Sequence, residues 1–285
     1  MFKRTGEKEV SKTRYNDGVH IISNKEYHAS EGVSRSMLME FKRSPYHYWY
    51  KYLSGKAPKE EPTPAMNLGN AVHTLVLEEE KFDSEFHVIH QQTRPRRNTP
   101  PYEKMLADAQ GKIILTNDEY LQAAIMAKSV KENPYSAQLF HECQVEKSIY
   151  FTHKTTGIQL KSRPDAMSGS IAIDLKTTAD ASKHAFRYSA DKFGYFLQAV
   201  MVKEALASIG QHMDEFVFVP VEKSAPYCVA FYMVSQDTLF EESVDFDVLM
   251  VNLERCMESN VWPGYKMEAL DRSKYANYDN DVGME

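Results

Sequence analysis

Arg163-Pro164-Asp165-Ala166-Met167-Ser168-Gly169-Ser170-Ile171-Ala172-Ile173-Asp174-Leu175-Lys176-Thr177 is the stretch on which the fold of this chain turns. Ile171, Ile173 and Leu175 recur every second residue, the period of a strand with one face in a core. Ser168-Gly169-Ser170 supplies the turn that feeds this strand. Asp174 and Lys176 stand two apart, so on a strand both leave the face opposite Ile173 and Leu175. Two charges on an otherwise apolar strand are costly to bury unless something pairs with them. Glu40-Phe41-Lys42 and Glu79-Glu80-Lys81 repeat the acid-x-lysine pattern. They fall in helical stretches, where positions i and i+2 diverge.

The period of two begins upstream. Val145, Ile149 and Phe151 alternate with Glu146, Ser148 and Tyr150, and Thr155-Thr156-Gly157 makes a turn. The return run sets Ile158, Leu160 and Ser162 against Gln159, Lys161, Arg163 and Asp165. With 171–175 this predicts a three-stranded antiparallel meander. Helices surround it in the sequence. Ser34 precedes Leu38 and Phe41 as an N-cap, and Ser44-Pro45 ends that helix and opens another rich in tyrosine. Residues 65–81 place Leu68, Val72 and Leu75 on one stripe and Gly69, His73 and Glu80 on another. Thr116 with Glu119 forms a capping box that opens a helix running to Glu132, before Pro134. A long helix is expected over 190–208, strands over 216–221 and 227–234, and a last helix over 237–258. The expected fold class is α/β, a mixed central β-sheet flanked by helices. The expected organisation is a flexible lead-in (1–22), one domain (23–265) and a polar C-terminal tail (266–285).

Composition narrows the classes. At 285 residues, 42% hydrophobic and 26% charged, the chain can build one substantial core. No run of about 18 apolar residues offers a membrane helix, and the polar first residues lack a signal peptide's apolar stretch. The three cysteines, Cys143, Cys228 and Cys256, form no CxxC pair, which argues against a disulfide framework and points to the cytoplasm. A net charge of −6 runs against simple nucleic-acid binding, which draws on clustered Lys and Arg.

Two carboxylates and a lysine near one point suit metal-assisted phosphodiester hydrolysis. A hard divalent cation takes carboxylate, carbonyl and water oxygens, and two such ions can steady both the entering and the leaving oxygen. Asp165 and Asp174 are the candidate carboxylates, the Leu175 carbonyl a further ligand, and Lys176 the group that orients water and stabilises developing charge. On spacing alone the same residues read equally well as a strand-edge ion pair.

A wider pattern separates the two readings. Tyr27, Gly32-Val33-Ser34-x-Ser36-x-Leu38, Ser44-Pro45, Gly69-x-x-x-His73, Arg163-Pro164-Asp165, Ile173-Asp174-Leu175-Lys176-Thr177 and Gln198 occur in one consistent order from about residue 21 to Tyr265. In this the chain resembles the RecE-type exonucleases, the exonuclease VIII group of phage and prophage recombination nucleases. They belong to the PD-(D/E)XK superfamily. The resemblance implies a PD-(D/E)XK nuclease fold, dependence on Mg²⁺ with Mn²⁺ as a substitute, and two ions per site. It also implies 5′→3′ digestion of one strand of linear double-stranded DNA in a bacterial or phage-infected host cytosol. The partners it implies are a single-strand annealing protein of the RecT or Beta type and further copies of the chain in a ring-shaped trimer or tetramer. By this match His73, Asp165 and Asp174 are metal ligands, Lys176 is the catalytic lysine, and Gln198 is the helix glutamine after the core motif. Relatives often carry a tyrosine four residues beyond that glutamine, where this chain has Val202.

Further candidates are weaker. Ser34, Arg35 and Ser36 start a helix whose backbone N–H groups favour an anion such as a 5′ phosphate, though they serve equally as an ordinary cap. Tyr195 shares a helix face with Gln198. Arg163 is read as a phosphate ligand or a partner of Asp165. Glu146 is read as assisting a metal or, more readily, as pairing with Lys147 or Lys161. Arg94, Arg96 and Arg97 form a basic loop that grips DNA or is simply solvated. The rival functions are another PD-(D/E)XK nuclease, structure-specific or endonucleolytic, and a non-catalytic DNA-end binding protein. Superfamily members built around an iron–sulfur cluster are excluded, because three scattered cysteines cannot hold one.

Overall fold

The strand bearing Asp174 and Lys176 lies at the middle of a five-stranded mixed sheet. The computed structural model describes residues 12–58 and 60–267. In chain order the elements are β1 (Gly18–His20), α1 (Asn24–Ala29), α2 (Arg35–Arg43), α3 (Pro45–Tyr48), α4 (Pro64–Leu77), α5 (Phe82–Glu85), β2 (Phe86–Ile89), α6 (Pro100–Ala109), β3 (Ile113–Thr116), α7 (Asn117–Glu132) and α8 (Pro134–Leu139). There follow β4 (Gln144–Val145), β5 (Ser148–Thr152), β6 (Gln159–Ser162), β7 (Ala166–Ser168), β8 (Ile171–Thr178), α9 (Lys183–Phe193), α10 (Tyr195–Ser208), β9 (Glu215–Glu222), β10 (Tyr232–Met233) and α11 (Gln236–Ser259).

The central sheet runs β10-β9-β8-β7-β4, with β8 and β9 parallel and the other pairs antiparallel. Parallel pairing needs a crossover, and α9 with α10 supplies it. Alternation divides the core in two. Ile173 and Leu175 of β8 join Val217, Val219 and Val221 of β9 on one face, against Leu68 and Val72 of α4 and Met126 and Val130 of α7. Ala172, Phe216 and Phe218 lie on the other face, with Leu197 and Val200 of α10, Leu38 and Phe41 of α2, and Phe246 of α11. This α/β arrangement, a mixed sheet between helices, is the fold class expected. No helix among the described residues is long and apolar enough to cross a membrane.

Four local expectations are corrected, the first being the strand over 227–234, which shortens to β10 at Tyr232–Met233. The meander is two hairpins in two sheets. β5 and β6 pair with each other and with β1, while β7 and β8 belong to the central sheet. The chain changes sheet at 163–165, and a period of two is the same on either side of such a change. The helix expected over 190–208 begins at Tyr195, because Gly194 adopts φ 65° and ψ 41°. There it is both the C-cap of α9 and the N-cap of α10, a left-handed conformation cheap only for glycine. Within the lead-in, 12–22 is structured. β1 pairs with β5, and the Tyr15 ring lies 4.9 Å from that of Tyr150. A three-residue strand is too short to announce itself by periodicity. Residues 1–11 and the tail beyond Met267 lie outside the described residues.

Candidate active site

β8 is the platform. Its Asp174 side chain is fully buried and ion-paired to Lys176, while Gln198 Nε2 of α10 donates to the other carboxylate oxygen. Lys176 also donates to Gln198 Oε1 at 3.3 Å, and its Nζ lies 4.9 Å from the centroid of the Tyr195 ring. The α10 pair Tyr195 and Gln198 therefore brackets the lysine from one turn of helix, as their spacing requires. Val202, one turn further on, is wholly buried and packs in the core.

Asp165 sits just before β7 and turns its carboxylate to the same end of β8. Its Oδ2 accepts from the Leu175 N–H at 2.8 Å and lies 3.4 Å from His73 Nδ1 on α4. Leu175 thus enters through its amide, which fixes Asp165, and its backbone also abuts the His73 ring. Glu146 completes the cluster. Its backbone N–H donates to the Asp165 carbonyl at 3.1 Å, and its φ of 53° is left-handed, rare for a residue with a side chain. The result is that one ligand atom each of His73, Glu146 and Asp165 falls within 4.8 Å of the others.

The electrostatics of this group call for a cation. Burial raises the Asp165 carboxyl above its ordinary range, and the Asp174 charge raises it further. Burial, then Asp165, raises Glu146 in the same way. Burial lowers His73, with Lys176 adding to the effect, so its imidazole is held neutral and free to ligate. One neutral nitrogen and two crowded carboxylates make a donor set for a divalent ion, whose charge would relieve the repulsion that raises both acids. The residues fit such an ion.

Motif spacing makes Asp174 a candidate ligand and Glu146 an assistant to a metal or, more readily, a partner of Lys147 or Lys161. Geometry gives a compact group of His73, Glu146 and Asp165, with Asp174 behind it, held by Lys176 and Gln198. Lys147 and Lys161 do not pair with Glu146. Lys147 donates to Gln144, and Lys161 is buried with its ammonium on the Tyr27 and Ser30 carbonyls. Arg163, only 9% exposed, is the partner of Glu146. A left-handed glutamate cannot be read from alternation, so the sequence carries no signal of its place in the cluster.

A cavity of about 480 Å³ opens on the cluster, lined in part by Ser34, Arg35, Ser36, Lys161, Arg163 and Gln198. Ser34 is the N-cap of α2 but makes no side-chain cap bond, and its hydroxyl lies 3.0 Å from that of Ser36. Arg35 donates to the Phe193 carbonyl. Arg163 Nη1 is buried with no hydrogen-bond acceptor among the described residues. The basic loop stands elsewhere and is largely committed, Arg94 to Glu119 and Arg97 to Glu61. Of the tyrosine cluster, Tyr48 is core, while Tyr46 and Tyr50 are exposed.

A mixed sheet carrying a carboxylate and a lysine two apart, with a second carboxylate beside them and a helical histidine, defines the PD-(D/E)XK-like class. The chain belongs to one family within it, the PDDEXK-like domain of unknown function DUF3799, whose model matches residues 34–273. The fold is shared with a crystal structure from Eubacterium rectale described provisionally as an exonuclease. That protein is 16% identical, with a TM-score of 0.62 over 85% of this chain and 88% of that one. A phage-related exonuclease from Haemophilus somnus aligns over 67% of this chain and 95% of its own at 10% identity; at a TM-score of 0.33 nothing rests on it. No curated protein matches the chain in sequence.

Proposed function

We propose that this protein is a Mg²⁺-dependent exodeoxyribonuclease that digests one strand of linear double-stranded DNA in the 5′→3′ direction. The observation that carries the reading is the convergence of His73, Glu146 and Asp165 within 4.8 Å, beside the Asp174–Lys176 pair and at the wall of an open cavity. When bound, Mg²⁺, or Mn²⁺ in its place, would polarise the scissile phosphate and lower the pKa of the attacking water. His73, Glu146 and Asp165 would hold it, and Asp174 would join a second ion only by exchanging its bonds to Lys176 and Gln198. Lys176 would orient the water and balance the negative charge that grows on the phosphoryl oxygens. Gln198 and Tyr195 hold Lys176 in place for that task. In the reaction water adds to phosphorus, the bond to the 3′ oxygen breaks, and that oxygen takes a proton.

Arg163 carries an unused buried donor, and Arg35, Ser34 and Ser36 line the same cavity, which suits the phosphates of a DNA strand. Strand polarity, a ring-shaped homo-oligomer and a single-strand annealing partner rest on the resemblance to the RecE-type exonucleases.

The test is an end-labelled linear duplex offered beside a closed circle, with Mg²⁺, Ca²⁺ or chelator. Nucleotide release from 5′ labels alone, only with Mg²⁺, is the expected result. Nicking of the closed circle would favour an endonuclease of the same class. Retention of DNA without cleavage under every metal would favour an end-binding protein.

A further inference from the structure

A second cavity, of about 450 Å³, lies at the C-terminal end of β8. Its walls include Thr178, His184, Tyr188, Phe193, Tyr195 and Lys223. Tyr195 is common to both chambers' surroundings. It lines the second, while the Lys176 ammonium lies 4.9 Å from its ring centroid and the Arg35 guanidinium 5.9 Å. Arg35 lines the first cavity and donates to the carbonyl of Phe193, which lines the second. Arg35 and Tyr195 thus link the linings of the two cavities.

The chemistry of the second chamber differs from that of the first. It contains no cluster of carboxylates. Its charged groups are Lys223 and, on the rim, Asp180, whose carboxylate caps the Ser182 N–H. Opposite charges of equal count leave little net field for a phosphate. What the chamber offers instead is flat aromatic surface. Tyr188 is 66% exposed and Phe193 49%, large rings left in solvent at a cavity mouth. Ser189 lines the chamber beside them, while the Thr178 hydroxyl is bonded to the Asp180 backbone. Aromatic faces with scattered hydrogen-bonding groups and no excess charge suit a nucleobase, which has a π-face and polar edges but no charge.

We propose that this second cavity is a nucleobase subsite, which receives one unpaired base of the DNA strand whose phosphate lies in the first cavity. The inference rests on the nuclease reading for the identity of the strand. Position supports it, since Lys176 on β8 donates to Gln198 of the first chamber's wall, and Thr178, two residues on, lines the second. Tyr188 and Phe193 supply the stacking surface, and Tyr195 divides base from reacting phosphate.

The experiment measures binding of a fluorescent oligothymidylate by anisotropy in Ca²⁺, with the full chain and its Tyr188→Ala and Phe193→Ala variants. Both rings are exposed, and an unchanged melting temperature confirms that each variant is folded. Each should weaken binding about fivefold or more, the lower end for a base stacked on one aromatic ring. An oligothymidylate with one abasic position, moved along the strand, should lose the same factor at one position with the wild type. Neither variant should register that loss. Variants that bind as tightly as the wild type, or an abasic scan with no sensitive position, would overturn the subsite. Cleavage with Mg²⁺ is read separately. Base-dependent binding without cleavage would remove the nuclease reading and leave the subsite. Cleavage with no response to either variant would do the reverse, and absence of any DNA binding would remove both.

Discussion

Replacing Glu146 by glutamine tests whether the three-residue cluster is a metal centre. The change keeps the shape and one carbonyl oxygen but removes a unit of charge from a group whose ligand atoms lie within 4.8 Å of one another. For a divalent ion about 4 Å from that charge, at an effective dielectric near 20, the lost attraction is at most about 8 kcal/mol. Water entering the shell and relief of the repulsion on Asp165 return much of this. A hundredfold loss of affinity, about 2.8 kcal/mol, is the expected remainder.

Thermal denaturation reads this without any DNA. At a metal concentration 100 times the wild-type Kd, binding stabilises the folded state by about 2.7 kcal/mol, and a hundredfold weaker site retains only about 0.4 kcal/mol. At about 2–4 °C per kcal/mol, the wild type should rise by about 5–10 °C with Mn²⁺ or Mg²⁺, and Glu146→Gln by about 1 °C. Each protein must be compared with itself, because the variant also strips Arg163, only 9% exposed, of its carboxylate. A buried charge left unpaired costs about 3–5 kcal/mol, which lowers the baseline but not the metal-induced difference. An equal rise in both proteins would refute the placing of Glu146 in the coordination group.

Other consequences follow from the same geometry. Lys176→Met removes a charge but no ligand, so cleavage should fall about 10²–10³-fold in single-turnover assays while the metal-induced rise in melting temperature persists; loss of that rise would make the lysine a structural residue. In the metal-free protein Asp165 and Glu146 have folded pKa values raised above their ordinary 3.8 and 4.5. Such groups favour folding below those ordinary values, and the contribution fades as pH rises through the raised ones. Urea midpoints without metal should therefore decline from pH 5 towards pH 9, and a saturating divalent ion should flatten the decline; a metal-free midpoint that climbs over this range contradicts the crowded-carboxylate account. His73, lowered instead, loses its contribution only as pH falls through its depressed value. Gly194→Ala combines a left-handed backbone, about 1–2 kcal/mol, with a Cβ that would overlap the Met39 side chain, an overpacking worth about 1–3 kcal/mol. Equilibrium urea unfolding should show a loss of about 2–5 kcal/mol, and adding Met39→Ala should return only the packing part.

What the sequence disclosed and what it hid divide along a physical line. The β8 strand, the capping box at Thr116 and Glu119 and the Asp174–Lys176 face were legible, because each follows from side-chain period or from a hydrogen bond within four residues. The hidden features depend on where the backbone turns. Glu146 reaches His73 and Asp165 only because its own φ is positive and its N–H is held by the Asp165 carbonyl, a contact spanning 19 residues. Arg163, which alternation offers as a phosphate ligand or a partner of Asp165, is paired with Glu146 where the chain leaves one sheet for the other. A residue's period tells which face of its own strand it takes, and it is silent on which strands share a sheet. The ligand cluster is built at such a junction, between the hairpin of β5 and β6 and that of β7 and β8. A site assembled there draws its carboxylates from loops flanking short strands, so motif spacing leaves a strand-edge ion pair and a metal site equally open, and only the wider residue pattern favours the second.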